Sequence, residues 1–341
     1  MQSDRQVLQG INCYAFNGDA DGLCALQQLR LHQAIELPVL PRLITGVKRD
    51  VGLLARISEV QGRRIAVLDI SLDKNREALQ RLLTNANRVI YIDHHYSGKI
   101  PASSLLQTHI DPSPQTCTAF LVNQLLQGQF TAWALVGAFG DNLILQAKTL
   151  AKQLGVDSSS CEQLQQLGTL LNYNSYGETI EDLHVDPIEL SCEMRPYADP
   201  LHFLHQSALV PLIRVGYQED SQHLRVCTAQ EIFKGGRFFM LPDTAWARRI
   251  SGIFANHCAV EKPYCAHAIA QQQRDGTLRI SVRAPLKSPM GADTLCRIFP
   301  GGGGRAAAAG INNLPAPELD RFLAVFRQHF SSIHPNAPDR E

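Results

Sequence analysis

Over the first half of the chain, short β-rich runs alternate with stretches whose apolar residues recur at helical spacing. Residues 11–16 (INCYAF) read as a first strand, followed after a glycine-containing turn by a helix through Leu23, Leu26 and Leu29. Residues 65–68 (IAVL) and 89–92 (VIYI) read as further strands, and 73–83, 118–126 and 132–139 carry helical spacing. This alternation predicts βαβ units around a parallel sheet. From 186 to 211 the pattern loosens and four prolines appear. Strand-like runs return at 224–228 and 278–282, and a glycine/alanine block occupies 301–310. The expected architecture is α/β: a parallel-sheet domain over 1–190, a linker over 191–211 with a short helix near 201–209, and a smaller second α/β domain over 212–341.

Several acids follow the predicted strands directly, at the edge where open parallel sheets gather their ligands. Asp19 and Asp21 lie on the turn Asn17-Gly18-Asp19-Ala20-Asp21-Gly22; Asp69 follows IAVL; Asp93-His94-His95 follows VIYI; Asp141 ends the apolar run WALVGAFG. Each has an ordinary alternative as a turn or capping residue. An EF-hand is excluded, because residue 23 onward is apolar and helical where a calcium loop needs further oxygen ligands. Taken together the acids need another explanation. Two unit charges 4 Å apart repel by about 4 kcal/mol at an effective dielectric near 20. A fold holds several such pairs when cations neutralise them or when some acids stay protonated. The His94 imidazole beside oxygen ligands suits Mn²⁺, with Mg²⁺ or Co²⁺ as alternatives. One shared carboxylate can bridge two ions about 3.5–4 Å apart, an arrangement suited to phosphoryl chemistry.

The bulk properties narrow the substrate. Lys plus Arg and Asp plus Glu both number 32 in 341 residues, so the net charge is zero. Coating long duplex nucleic acid draws on a basic surplus, which is absent, so a nucleic-acid substrate is expected to be short and gripped locally. No apolar run approaches the roughly 20 residues of a membrane span, and no signal peptide is read at the N-terminus. Nine scattered cysteines without a C-x-x-C pair fit a reducing cytoplasm. His257, Cys258, Cys265 and His267 match no common zinc spacing, and the two thiols are read as structural.

The ordered set NGDADG (17–22), Leu68-Asp69, Asp93-His94-His95 and Gly140-Asp141 resembles the four motifs of the DHH phosphoesterase superfamily. The later RISVR (279–283) and the block from Gly301 through Arg305 to Gly310 resemble the DHHA1 substrate domain. The resemblance implies a parallel-sheet DHH domain followed by a DHHA1 domain. It implies that Asp19, Asp21, Asp69, His94 and Asp141 are ligands of a two-ion site, with Asp69 bridging. Asp93 would orient His94, and His95 would approach the substrate phosphate or leaving group. Arg283, Gly302, Gly303, Gly304 and Arg305 would bind substrate, the glycine run making a tight turn into a helix. Two departures stand out. Ala15 occupies a position where many members have histidine, leaving the first ion to rely on Asn17 as a weaker neutral ligand, on water or on substrate oxygen. Arg305 replaces a usual histidine, exchanging a proton donor for a bidentate phosphate binder.

The expected function is metal-dependent hydrolysis of short oligoribonucleotides, dinucleotides above all, to mononucleotides in the cytoplasm. Two alternatives stay open: a phosphoesterase for cyclic dinucleotides or other nucleotides, and a non-catalytic nucleotide sensor with a degenerate site. Oligomeric state is left open.

Overall fold

The computed structural model describes residues 8–33, 41–58 and 60–333. The first seven residues, read for a targeting segment, lie outside the described residues. The chain forms two compact units that divide between Tyr217 and Gln218.

The first unit is built on five parallel strands: β1 (Cys13–Phe16), β2 (Arg42–Ile44), β3 (Arg64–Leu68), β4 (Arg88–Asp93) and β5 (Leu106–Ile110). Their order is β2-β1-β3-β4-β5. The chain leaves β1 to one side and returns to pair β3 on the other, so β1 and β3 flank the switch point where such sheets open a crevice. β1 is buried throughout and β3 and β4 nearly so, as expected of a sheet covered on both faces. One face packs on α2 (Arg76–Thr84), burying Ala15, Val67, Leu79, Leu83 and Tyr91 in one cluster.

The central helix, α1 (Ala20–Gln33), is buried continuously from Ala20 to Leu29. Two of its buried glutamines tie it to neighbouring backbone through their NH₂ groups: Gln27 donates to Met194 O (2.8 Å) and Gln28 to Ala119 O (3.1 Å). Next come α3 (Thr118–Leu125), α4 (Thr131–Gly140), α5 (Ile144–Gln153) and α6 (Ser158–Asn174). α4 ends in a Schellman motif, with Asn142 N–H on Phe139 O, Leu143 N–H on Ala138 O, and Asn142 at φ 64°. A Cβ on Gly140 would lie 2.3 Å from the Ala20 Cβ, so glycine sets the approach of α4 to α1.

Residues 191–211, expected to be a linker, are mostly helical. α7 (Pro187–Met194) and α8 (Pro200–Gln206) precede α9 (Leu209–Leu224). The prolines start these helices instead of breaking them. Pro187 and Pro200 sit in first turns, where the missing N–H has no helical partner, behind N-caps Asp186 and Asp199. Phe203 of α8 is fully buried, 5.9 Å from the Trp133 ring.

The second unit contains β6 (Glu231–Phe233), β7 (Gly236–Leu241), α10 (Ala245–Glu261), β8 (Ala266–Gln272), β9 (Leu278–Arg283), α11 (Ala292–Cys296), β10 (Gly302–Arg305), β11 (Ala308–Leu314) and α12 (Leu319–Ile333). Its sheet order is β10-β11-β9-β8-β7-β6, antiparallel except for the β7–β8 pair. Phe322, Phe326 and Phe330 recur every four residues on α12 and are buried with Ile280, Val282 and Ile311.

Two local expectations fail here. Residues 224–228 are not a strand: α9 runs to Leu224, and Arg225, Val226 and Cys227 close turns onto Gln222, His223 and Leu224. The glycine/alanine block is a hairpin, not a turn into a helix. Ala306 and Ala307 turn between β10 and β11, and their carbonyls accept from Ala292 and Ala284 N–H. Pairing with β9 outweighs the helix preference of alanine.

Among the described residues no helix is long and apolar enough to cross a membrane. Gly140→Ala is expected to destabilise the protein by about 1–3 kcal/mol through overpacking, although alanine exceeds glycine in helix propensity by about 1 kcal/mol. A urea midpoint that falls at unchanged slope checks this; a rise would show that α1 and α4 can separate freely.

Candidate metal centre

The acids that follow β1 and β3 meet at the carboxyl edge of the sheet, each placed by a local bond. Asp19 caps α1: its Oδ1 accepts from Asp21 N–H (3.0 Å) and Gly22 N–H (3.1 Å). Asp21 is 1% exposed and caps a helix remote in sequence. Its Oδ2 accepts from Thr118 N–H (2.8 Å) and its Oδ1 from Ala119 N–H (2.7 Å), so the start of α3 neutralises part of its charge.

Asp69 takes φ 58°, a conformation rare for a residue with a Cβ. Its N–H donates to Ile92 O (3.1 Å) and its Oδ1 accepts from the Thr118 hydroxyl (3.3 Å). The neighbouring segments thus hold a backbone geometry that costs energy, as is common where a side chain must be aimed. Asp141, the last residue before the α4 Schellman turn, completes the group.

His94 stands at the centre. Its Nε2 is 3.3 Å from Asp69 Oδ1, 3.8 Å from Asp141 Oδ2 and 3.9 Å from Asp21 Oδ2. Among the described residues, two sets of three have ligand atoms close enough together for an ion: Asp21, His94 and Asp141, and Asp69, His94 and His95. An imidazole nitrogen facing oxygens from three chain segments, with more lone pairs than protons, fits a divalent cation.

The second histidine is arranged differently from expectation. Asp93 was expected to orient the His94 ring; its Oδ1 instead accepts from His95 Nδ1 (2.7 Å) and touches His94 only through the backbone N–H (2.9 Å). The other Asp93 oxygen is buried without a hydrogen-bond partner. Asn17 is hydrogen-bonded through both ends of its amide. Its amide joins the loop, donating to Lys48 O (3.2 Å) and accepting from Asp19 N–H (3.3 Å).

Sequence reasoning missed Lys48. Its Nζ lies 2.5 Å from Asp19 Oδ2, 3.0 Å from Asn172 Oδ1 and 3.8 Å from Asp141 Oδ1. Thr118, which touches both Asp21 and Asp69, was also missed. The available signal for Lys48 was a cation four residues beyond Ile44, where β2 ends, but β2 is three residues long and only partly buried.

The acids divide in their protonation. Burial and then the charges of Asp19, Asp21, Asp141 and Asp93 push Asp69 well above the usual carboxylate range. Burial raises Asp141 to about 6, with Lys48 opposing and Asp21 assisting. Burial would raise Asp19 as well, but the Lys48 ammonium and the hydrogen bonds from Lys48, Gly22 and Asp69 hold it below its ordinary value. Burial works against a charged His95, and the bond to Asp93 overcomes it, so its pKa rises.

In the second unit, register aligns the expected substrate residues. Arg305 pairs with Ala308, Ala308 with Arg283, Arg283 with His267, and His267 with Arg237. Directly paired residues share a face, so Arg305 and Arg283 stand two strands apart, roughly 10 Å. Arg283 Nε donates to Asn256 Oδ1 (2.8 Å), and Arg305 is exposed. Gly302, Gly303 and Gly304 form the edge strand beside this row. His267 is buried against Lys262 O (3.2 Å), its pKa lowered by burial to about 4.

Folded carboxylates with raised pKa bind more protons than the unfolded chain, so their contribution to stability declines as pH rises. For Asp141 this decline runs from the ordinary range up through about 6 and amounts to roughly 3 kcal/mol. Asp69 and His95 act in the same direction, whereas the lowered Asp19 loses its stabilising effect only in stronger acid. Metal-free protein is therefore expected to melt lower at pH 7.5 than at pH 5, and Mn²⁺ to raise the melting temperature more at pH 7.5. Melting curves in chelator and in Mn²⁺ check both; an equal Mn²⁺ effect at the two values would contradict the protonated cluster.

No family model matches the chain, and no curated protein matches it by sequence. Solved structures do. The DHH domain of a member of the s1p family of ribosomal proteins aligns at TM-score 0.62 and 14% identity, covering 96% of this chain and 88% of its own. Exonuclease RecJ bound to manganese aligns at 0.59 and 17%, covering 99% and 95%. The pGpG-specific phosphodiesterase PggH from Vibrio cholerae aligns at 0.54 and 15%, covering 94% and 99%. At these identities the likeness is one of architecture, and by its architecture the chain is a protein of the DHH fold.

Proposed function

We propose that the chain is a metal-dependent phosphodiesterase that cleaves short oligoribonucleotides, in particular 5′-phosphorylated dinucleotides, to mononucleotides. The observation that carries the reading is the convergence of three carboxylates on His94 Nε2 at the sheet switch point. RecJ, similar in fold, is an exonuclease seen with manganese, and PggH is specific for pGpG. The zero net charge also favours a short substrate over a long duplex.

Asp21, Asp69, His94 and Asp141 are the residues that would hold a divalent ion, Mn²⁺ or Mg²⁺. Bound there, such an ion makes water a better nucleophile at neutral pH and offsets charge on phosphoryl oxygens. The chain's own residues supply the rest. Asp93 fixes the His95 ring through Nδ1, leaving Nε2 of this 44%-exposed side chain to face a substrate oxygen. Its raised pKa keeps it protonated further toward neutrality, which suits proton donation to a leaving oxygen. Arg305 and Arg283 are the proposed phosphate contacts, since guanidinium forks onto phosphate with charge-assisted bonds.

A second reading, a non-catalytic nucleotide-binding protein, draws on the Asp19 half of the cluster, where Lys48 rather than an extra ligand faces the acid. One assay separates the two. Wild-type protein with Mn²⁺ is expected to hydrolyse a 5′-phosphorylated dinucleotide, and Asp69→Asn, which keeps a side chain tolerant of positive φ, to remain folded. Loss of a residue behind a ligand costs about 10–100-fold, so Asp69→Asn is expected to lower turnover by at least ~100-fold. Binding without turnover in the wild type under any divalent ion would favour the sensor. Arg305→Ala is expected to reduce kcat/KM for the phosphorylated dinucleotide at least ~10-fold more than for its unphosphorylated counterpart, which corresponds to about 1.4 kcal/mol of differential binding. An equal loss on both would remove Arg305 from phosphate recognition.

A further inference from the structure

The metal centre has two unlike halves. On one side His94 Nε2 faces Asp21, Asp69 and Asp141. On the other, Lys48 faces Asp19 and Asp141. Asp141 belongs to both: its Oδ2 is 3.8 Å from His94 Nε2 and its Oδ1 is 3.8 Å from Lys48 Nζ. A carboxylate with one oxygen toward each of two positive centres is how two ions are joined in a phosphoryl-transfer site. Here one of those centres belongs to the protein.

Lys48 is built into this place at both ends. Its N–H donates to Ser175 O (2.9 Å) and its carbonyl accepts from the Asn17 amide (3.2 Å). Its ammonium bonds Asp19 Oδ2 and Asn172 Oδ1, with the Tyr176 ring 5.6 Å away, and only 22% of the side chain is exposed. A wandering surface lysine would show none of these constraints. The surroundings also lack what a divalent ion would need. Position 15 is a buried alanine, Asn17 spends its amide on the loop, and Asp19 Oδ1 caps α1. The remaining Asp19 oxygen, one from Asp141 and the Asn172 amide oxygen are three donors, short of the six or so that Mn²⁺ or Mg²⁺ takes from oxygen-rich surroundings. An ammonium, with three N–H donors, fits two carboxylates and an amide oxygen.

We propose that the Lys48 ammonium is a resident cation filling the Asp19 half of the centre, so that the chain binds one divalent ion, at the His94 half, and not two. The inference rests on the reading of the His94 half as a metal site. It also names a charge that does not depend on metal supply: the Asp19 half stays neutralised in chelator, whereas the His94 half does not.

The test counts ions and needs no turnover. Full-length wild type and Lys48→Ala are titrated with Mn²⁺, with stoichiometry from calorimetry and the state of the ion from electron paramagnetic resonance. Wild type is expected to take one Mn²⁺ per chain and give the six-line signal of an isolated ion. Lys48→Ala, its fold checked by circular dichroism, is expected to take two, with the signal broadened by coupling between neighbouring ions. Two ions in the wild type, or one in both proteins, would overturn the role of Lys48 and leave the metal reading standing. No ion in the wild type would overturn the metal reading itself. The wild-type count holds even if Lys48→Ala does not fold.

Discussion

Crowded negative charge at one sheet edge is the constraint that organises the first unit. Five aspartates, at 19, 21, 69, 93 and 141, gather around two histidines, and all but Asp141 are nearly or fully buried. Each has its own local compensation. The N-terminus of α3 absorbs charge from Asp21, the Lys48 ammonium faces Asp19, and burial with the neighbouring charges pushes Asp69 toward its neutral form. Asp93 is answered by the His95 ring. These compensations are as much part of the fold as its apolar core, since an unpaired buried charge would cost several kcal/mol.

The fold serves this arrangement by bringing chain ends together. The β2-β1-β3 order places the turns after β1 and β3 side by side. Close packing of α4 on α1, permitted by Gly140, delivers Asp141 to the same edge. Strain at Asp69 and the left-handed Asn142 beside Asp141 show where backbone geometry gives way to side-chain aim.

Much of the site was legible because aspartates after apolar β-rich runs point to one sheet edge. The positions of β1, β3 and β4, and the helical character of 118–126 and 132–139, follow from hydrophobic spacing that the structure retains. Lys48 was not legible, because β2 is too short and too exposed to announce itself, and its partners Asn172 and Tyr176 lie over a hundred residues away. The pairing of Asp93 with His95 in place of His94 depends on how the chain leaves β4, which adjacency in sequence does not specify. The hairpin at 302–314 was hidden for another reason: alanine and glycine side chains carry almost no pattern, so pairing with β9 decides the outcome. Prolines misled in the opposite direction: they loosened the pattern from 186 on, yet Pro187 and Pro200 mark helix starts.

The pair of hydrogen bonds from α3 to Asp21 limits what can stand at that position. Both carboxylate oxygens accept from backbone N–H groups 97 and 98 residues away, within 2.8 Å. Asparagine would set an NH₂ group against one of two N–H donors, and glutamate would add a methylene where the residue is already 1% exposed. Only one of the twenty side chains has the right length and two acceptors. Position 21 therefore has no conservative exchange, and the chain's early and middle segments are tied through a residue that cannot drift independently of the helix it closes.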